Sequence, residues 1–145
     1  MTPTATPAAL DRQLAFAIFR LTLGINILAL GAGRVFGPGA AAFASASVVE
    51  FNKTALPPAV VHAFFLVVPF AELLLGALTT LGLFTRWALA LGGLLIALLV
   101  FGTVTRGDWN TVTVEMLYAV TYYLLLVSRS GNNRFSLDAL FFANR

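Results

Sequence analysis

The stretch WALALGGLLIALLVFGTVT, residues 87–105, contains no charged side chain and is closed at both ends by an arginine, Arg86 and Arg106. Wound as an α-helix it reaches roughly 28 Å at 1.5 Å per residue. The hydrocarbon core of a bilayer is about 30 Å thick, and inside it every backbone N–H and C=O must be satisfied within the segment. Residues 87–105 therefore read as a transmembrane helix. Three further apolar stretches are long enough to cross: Leu14–Gly33, interrupted by Arg20 and Asn26; Ala59–Phe84, interrupted by His62 and Glu72 and expected to bend at Pro69; and Thr111–Ser128, interrupted by Glu115. The expectation is an all-α integral membrane protein, a single four-helix domain over residues 14–145 that follows a short disordered tail at residues 1–13.

Composition agrees. Of the 145 residues, 59% are hydrophobic and 10% charged, where soluble domains carry roughly a quarter charged. The mean hydropathy of +0.90 is too apolar for a surface in water. A net charge of +3 with a pI near 10 could suggest nucleic acid. The nine Lys and Arg residues stand singly, however, with no run to neutralise successive phosphates. The absence of cysteine removes disulfides, iron–sulfur ligation and thiol–quinone exchange from this chain. A single histidine, His62, excludes an internal bis-histidine haem, and no carboxylates have the spacing for a metal site. Gly31-Ala32-Gly33 could mimic a signal-peptidase site, but Arg20 in the middle of the preceding apolar run argues against cleavage.

Between the first two spans, Gly37-Pro38-Gly39 stops one helix and Pro57-Pro58 starts the next. Within Val35–Pro58, the segment Ser47–Leu56 has mixed polarity. It fits a short helix lying in the membrane interface or an irregular loop. Four spans put both termini on one side, with Arg12, Arg86, Arg129, Arg134 and Arg145; Arg34, Lys53 and Arg106 fall on the other. That excess favours cytoplasmic termini. Trp87 and Trp109 fall at helix ends, where interfacial aromatics belong. Gly24 and Gly31 in the first span, and Gly76 and Thr80 in the second, are small residues at helix-packing distance.

Charges inside hydrocarbon cost about 2.5–3.5 kcal/mol on insertion scales, so those that remain invite a reason. Setting helix-end residues aside, these are Arg20, Glu72 and Glu115. Counting depth along each helix suggests two pairs, Arg20 with Glu72 towards the middle and His62 with Glu115 near the outer face. At 100° per residue Arg20 shares a stripe with Gly24, Ile27 and Gly31, and Glu72 shares one with Gly76 and Thr79. The charges should face neighbouring helices. Arg20, Glu72, Glu115 and His62 are thus the candidates for a polar site that grips a quinone-like head group or passes a proton. A structural ion pair or a snorkelling side chain explains the same residues without chemistry.

The run Pro69-Phe-Ala-Glu72-Leu-Leu-Leu-Gly76-Ala-Leu-Thr-Thr-Leu-Gly82-Leu-Phe-Thr-Arg86 resembles the second-helix signature of the DoxX family of small bacterial membrane proteins. Arg20-Leu-Thr-Leu-Gly24, the Leu56-Pro57 entry and Arg134-Phe-Ser136-Leu137-Asp138 resemble the family's other segments, so the similarity covers roughly residues 15–140. In one departure, Arg34 stands where the family often has a lysine. The resemblance implies a four-helix bundle and a membrane subunit of a quinone-linked, possibly sulfur-directed, oxidoreductase. It also implies a bound quinone near Arg20 and Glu72, and redox subunits or further copies of the chain as partners. The competing readings are a non-catalytic anchoring subunit and a small proton or ion transporter.

Overall fold

The computed structural model describes residues 6–142. Six helices follow in order: α1 Pro7–Phe36, α2 Ala40–Glu50, α3 Pro58–Leu81, α4 Thr85–Arg106, α5 Trp109–Ser128 and α6 Leu137–Phe142. Four of them, α1, α3, α4 and α5, are long and apolar enough to cross a membrane. Their outer faces carry large exposed apolar side chains, among them Ile25, Val67, Leu74, Leu94 and Leu117. Such faces suit hydrocarbon and not water, which makes the chain a multi-pass membrane protein.

The boundaries depart from the expected ones in two places. α1 begins at Pro7, so residues 7–13, expected in a disordered tail, are helical. Proline at the first helical position has a fitting φ and lacks an N–H that would be unpaired there anyway, and Ala8, Ala9 and Leu10 are strong helix formers. Residues 1–5 of that expected tail lie outside the described residues. The second difference is α2, which lies earlier than Ser47–Leu56. Ala40–Ala44 supplies the helix propensity, and Asn52, Lys53 and Thr54 form turns.

Small residues set how α1 meets α3. A methyl group on Gly24 would lie 2.5 Å from the backbone nitrogen of Thr80, one on Gly31 would lie 2.6 Å from that of Leu73, and one on Gly76 would overlap the backbone of Leu28. The helices run antiparallel with their backbones nearly touching. In lipid, such contact supplies the dispersion energy that the hydrophobic effect supplies in water. α4 packs on α5, and the core joins Phe16, Leu23 and Ile27 of α1 to Leu89 and Ile96 of α4 and to Tyr122 and Leu125 of α5. α2 packs on α3 through Phe43, Phe51 and Phe65, whose rings meet at centroid distances of 5.8 and 5.3 Å.

The chain end is fastened to the turn between α3 and α4. Gly82 closes α3 with φ +66°, and a side chain there would collide with Arg20 and Ser136. Phe84 opens α4 in the left-handed region at φ +48°. The Asp138 carboxylate accepts from the N–H groups of Phe84 (2.7 Å) and Thr85 (2.8 Å), satisfying donors that a helix start leaves open. The Asp138 N–H in turn donates to the Gly82 carbonyl at 3.0 Å.

Candidate functional site

Arg20 and Glu72 both point inward, but they do not meet. Gly31 abuts Glu72, and Arg20 lies eleven residues earlier on α1, which is roughly 17 Å along the axis. The expected pair is therefore corrected. With Gly24 packed on Thr80 and Gly76 on Leu28, the antiparallel register sets Arg20 level with the exit of α3 and not with its middle. There its Nη1 donates to the carbonyls of Thr79 (2.5 Å) and Thr80 (2.8 Å), and its Nη2 to that of Phe135 (2.8 Å). Arg20 is only 2% exposed. The last carbonyls of a helix are unpaired and carry the negative end of its dipole. Arg20 caps α3 from a neighbouring helix and ties the C-terminal segment to it.

Glu72 is served by Arg34 instead, a residue the sequence reading placed at a helix end. Arg34 Nη1 donates to Glu72 Oε1; the carboxylate is buried and the guanidinium is partly open at the edge of α1. The second expected pair is also corrected. Thr103 Oγ1 donates to Glu115 Oε1 at 3.0 Å, and among the described residues no ion pair joins Glu115 to His62. His62 is half-buried in the first turns of α3.

These groups form one polar core to which all four long helices contribute. Arg34 on α1 lies in electrostatic range of Glu115 on α5 as well as bonding Glu72 on α3. Tyr122, 3% exposed, lies in range of Glu72 from the α5 side. Thr103 completes the set from α4. Glu72 Oε2 and Glu115 Oε2 are both buried and accept no hydrogen bond among the described residues. A buried carboxylate oxygen without a donor is costly, and such sites deserve an explanation. Each can take a proton or a donor from a visiting molecule.

An aromatic wall adjoins this core. The Arg34 guanidinium sits 4.7 Å over the Phe43 ring, Phe43 meets Phe65, Phe65 meets Phe51, and the Arg106 guanidinium sits 5.3 Å over Phe51. Arg106 also pairs with Glu50 and, at 3.1 Å, with Asp108. Between α3 and α4 this wall borders a crevice of about 150 Å³, lined by Phe51, Val60, Phe64, Phe65, Leu98 and Phe101. No protein-family model matches the chain, and neither a curated protein nor a solved structure matches it.

The sequence reading missed Arg34, Tyr122, Thr103 and the phenylalanine wall. A signal existed for the first: helix one has no stop residue until Gly37, which leaves Arg34 inside it. None existed for Thr103 and Tyr122, whose roles depend on which faces of α4 and α5 turn inward.

Proposed function

We propose that this chain is the membrane subunit of a quinone-linked oxidoreductase, of the kind its resemblance to the DoxX family implies, and that it seats the quinone in the crevice beside the polar core. In this reading the four spans form a bundle and α2 lies along the interface. The termini face the cytoplasm, since the side that holds them carries Arg12, Arg86, Arg129, Arg134 and Arg145 against Arg34, Lys53 and Arg106 on the other.

The crevice carries the reading. Its walls are almost wholly aromatic and aliphatic. A dry cavity of about 150 Å³ is large enough for a benzene-sized ring, and aromatic rings gain from edge and offset contacts with such walls. An isoprenoid tail can leave sideways into lipid past Val60 and Phe101, both exposed. A quinone supplies two-electron chemistry, taking up two electrons and two protons to become the quinol. In this reading the electrons come from a redox partner protein. Arg106, at the rim over Phe51, offers donors for a carbonyl oxygen. Glu115 Oε2, buried and without a donor among the described residues, can hold a proton near this rim.

The test is to extract the protein gently from its own membrane and assay it for bound isoprenoid quinone and for co-purifying redox subunits. Recovery of both supports the reading. Recovery of neither rejects it and leaves the anchoring role, in which Glu72→Gln lowers assembly without changing turnover per assembled complex.

A further inference from the structure

At the end of the molecule away from the aromatic crevice, the segment after α5 folds back over the start of α1. Arg20, Asp138 and Asn133 hold it there: the Asn133 side-chain amide donates to Thr85 Oγ1 at 3.0 Å, and the Arg20 and Asp138 bonds are those described above. The fold-back frames a cleft of about 560 Å³ with Gln13, Arg129, Gly131, Arg134 and Asp138 on its walls.

Three features of this cleft point to an anionic ligand. Arg129 and Arg134 have no carboxylate partner among the described residues. Gln13 is 8% exposed, lines the cleft, and makes no side-chain hydrogen bond among the described residues. The one carboxylate present, Asp138, already has both oxygens occupied by the Phe84 and Thr85 N–H groups. Two guanidinium groups and a free amide therefore line a space whose one carboxylate is turned to the α4 start and is outnumbered by positive charge.

A second groove says what kind of anion. Between α1 and α5, a nearly apolar groove of about 480 Å³ is lined by Ala15, Phe16, Phe19, Leu124 and Val127. Arg12, near the start of α1, and Ser128, at the end of α5, also line it, and they are the chain neighbours of Gln13 and Arg129 in the cleft. Head and tail spaces thus adjoin at the level where spans α1 and α5 reach the membrane surface. Phe135, Leu140 and Phe141 beside the cleft are all exposed, as side chains at the edge of hydrocarbon would be.

We infer that this end of the protein is a binding site for an anionic phospholipid. The phosphate and its neighbouring anionic headgroup lie on Arg129, Arg134 and the Gln13 amide, and one acyl chain lies in the α1–α5 groove. Arginine suits this role because its planar donors match phosphate oxygens in pairs. The site rests on the membrane assignment and is independent of the quinone reading.

Native mass spectrometry of the full chain, incubated with an equimolar mixture of phosphatidylglycerol and phosphatidylethanolamine of identical acyl chains, tests it. Phosphatidylglycerol should be retained in preference. Arg129→Gln with Arg134→Gln should reduce that retention about tenfold or more, the loss of charge-assisted phosphate contacts. Ala15→Phe, which fills the groove and alters no charge, should weaken retention of both lipids. All three positions line surface clefts, and matching circular dichroism checks that the variants are folded. Equal retention of the two lipids by the unmodified protein overturns the inference. So does displacement of phosphatidylglycerol by equimolar inorganic phosphate, or closure of the face by a second copy of the chain that excludes lipid.

Discussion

Arg34 and Glu72 are joined across the α1–α3 interface, close to where Gly31 lets the two backbones touch. Arg20, on the same helix, is engaged by carbonyls at the far end of α3. One helix thus uses two arginines for different purposes, the first to neutralise a buried carboxylate and the second to cap a neighbour. The distinction has measurable consequences.

A double-mutant cycle separates the two arginines. Arg34→Gln and Glu72→Gln should couple by about 0.5–3 kcal/mol, because the two side chains share a bond. Arg20→Gln and Glu72→Gln should add to within a few tenths of a kcal/mol, as sites more than about 10 Å apart do. Thermal unfolding in a fixed detergent reads both cycles. Strong coupling of Arg20 to Glu72 would contradict the register described here.

Arg20→Met keeps the bulk of the side chain and removes its donors, leaving the carbonyls of Thr80 and Phe135 without that partner, while the Thr79 carbonyl keeps the Gly82 N–H. The expected loss is about 1–3 kcal/mol for each buried acceptor left unpaired, reduced where water reaches the Phe135 end. Protease nicking after Ser128 should also rise, because the C-terminal segment loses a tether. Arg20→Lys should recover part of the stability but not all, since one ammonium does not reproduce the fork.

Close approach of α1 and α3 predicts a graded glycine series. Gly76→Ala places its methyl against the Leu28 backbone and should cost about 1–3 kcal/mol from overpacking. Gly33→Ala meets nothing within 4 Å and should be neutral or slightly stabilising. Equal effects at the two positions would show that this interface is looser than described.

Asp108, in the turn between α4 and α5, gives the pH prediction. Its side chain accepts from the Thr111 hydroxyl at 2.6 Å and the Thr111 N–H at 3.2 Å, with Arg106 beside it. The Thr111 hydrogen bonds, chiefly, hold its carboxyl below the ordinary value. A depressed folded value means that the contribution to stability is present above the unfolded carboxyl range, near 4. It is lost as pH falls through the lower folded value. The melting difference between the unmodified protein and Asp108→Asn should therefore shrink as pH falls from 6 to 3, and a difference that grows would refute the assignment.

Much of the fold was legible because hydrocarbon tolerates so few solutions. Long apolar runs, one of them uncharged between Arg86 and Arg106 and the others broken only by one or two polar side chains, identify the spans almost unaided. The site was less legible for a geometric reason. Arg20 meets the exit of α3 because Gly24 packs on Thr80, and which small residues touch across two helices cannot be counted from the depth of either one. Arg34 looks like an anchor only if its helix ends at Gly33, whereas α1 continues to Phe36. The aromatic wall joins Phe43 of α2 and Phe51 just past its end to Phe65 of α3, and the position of α2 follows from alanine propensity and not from the mixed polarity of Ser47–Leu56.

The most direct test of the quinone site uses Gly102, which borders the crevice opposite Phe51. A methyl there would make ordinary contact with the Phe51 ring at 3.4 Å, so the larger side chain of Gly102→Leu must take up space in the crevice beside it. Bound isoprenoid quinone should be measured, per mole of folded protein, in the unmodified chain and in Gly102→Leu purified identically. The account predicts near-stoichiometric quinone in the first and a loss of at least about tenfold in the second. Equal quinone in both, or none in the unmodified chain, would contradict it.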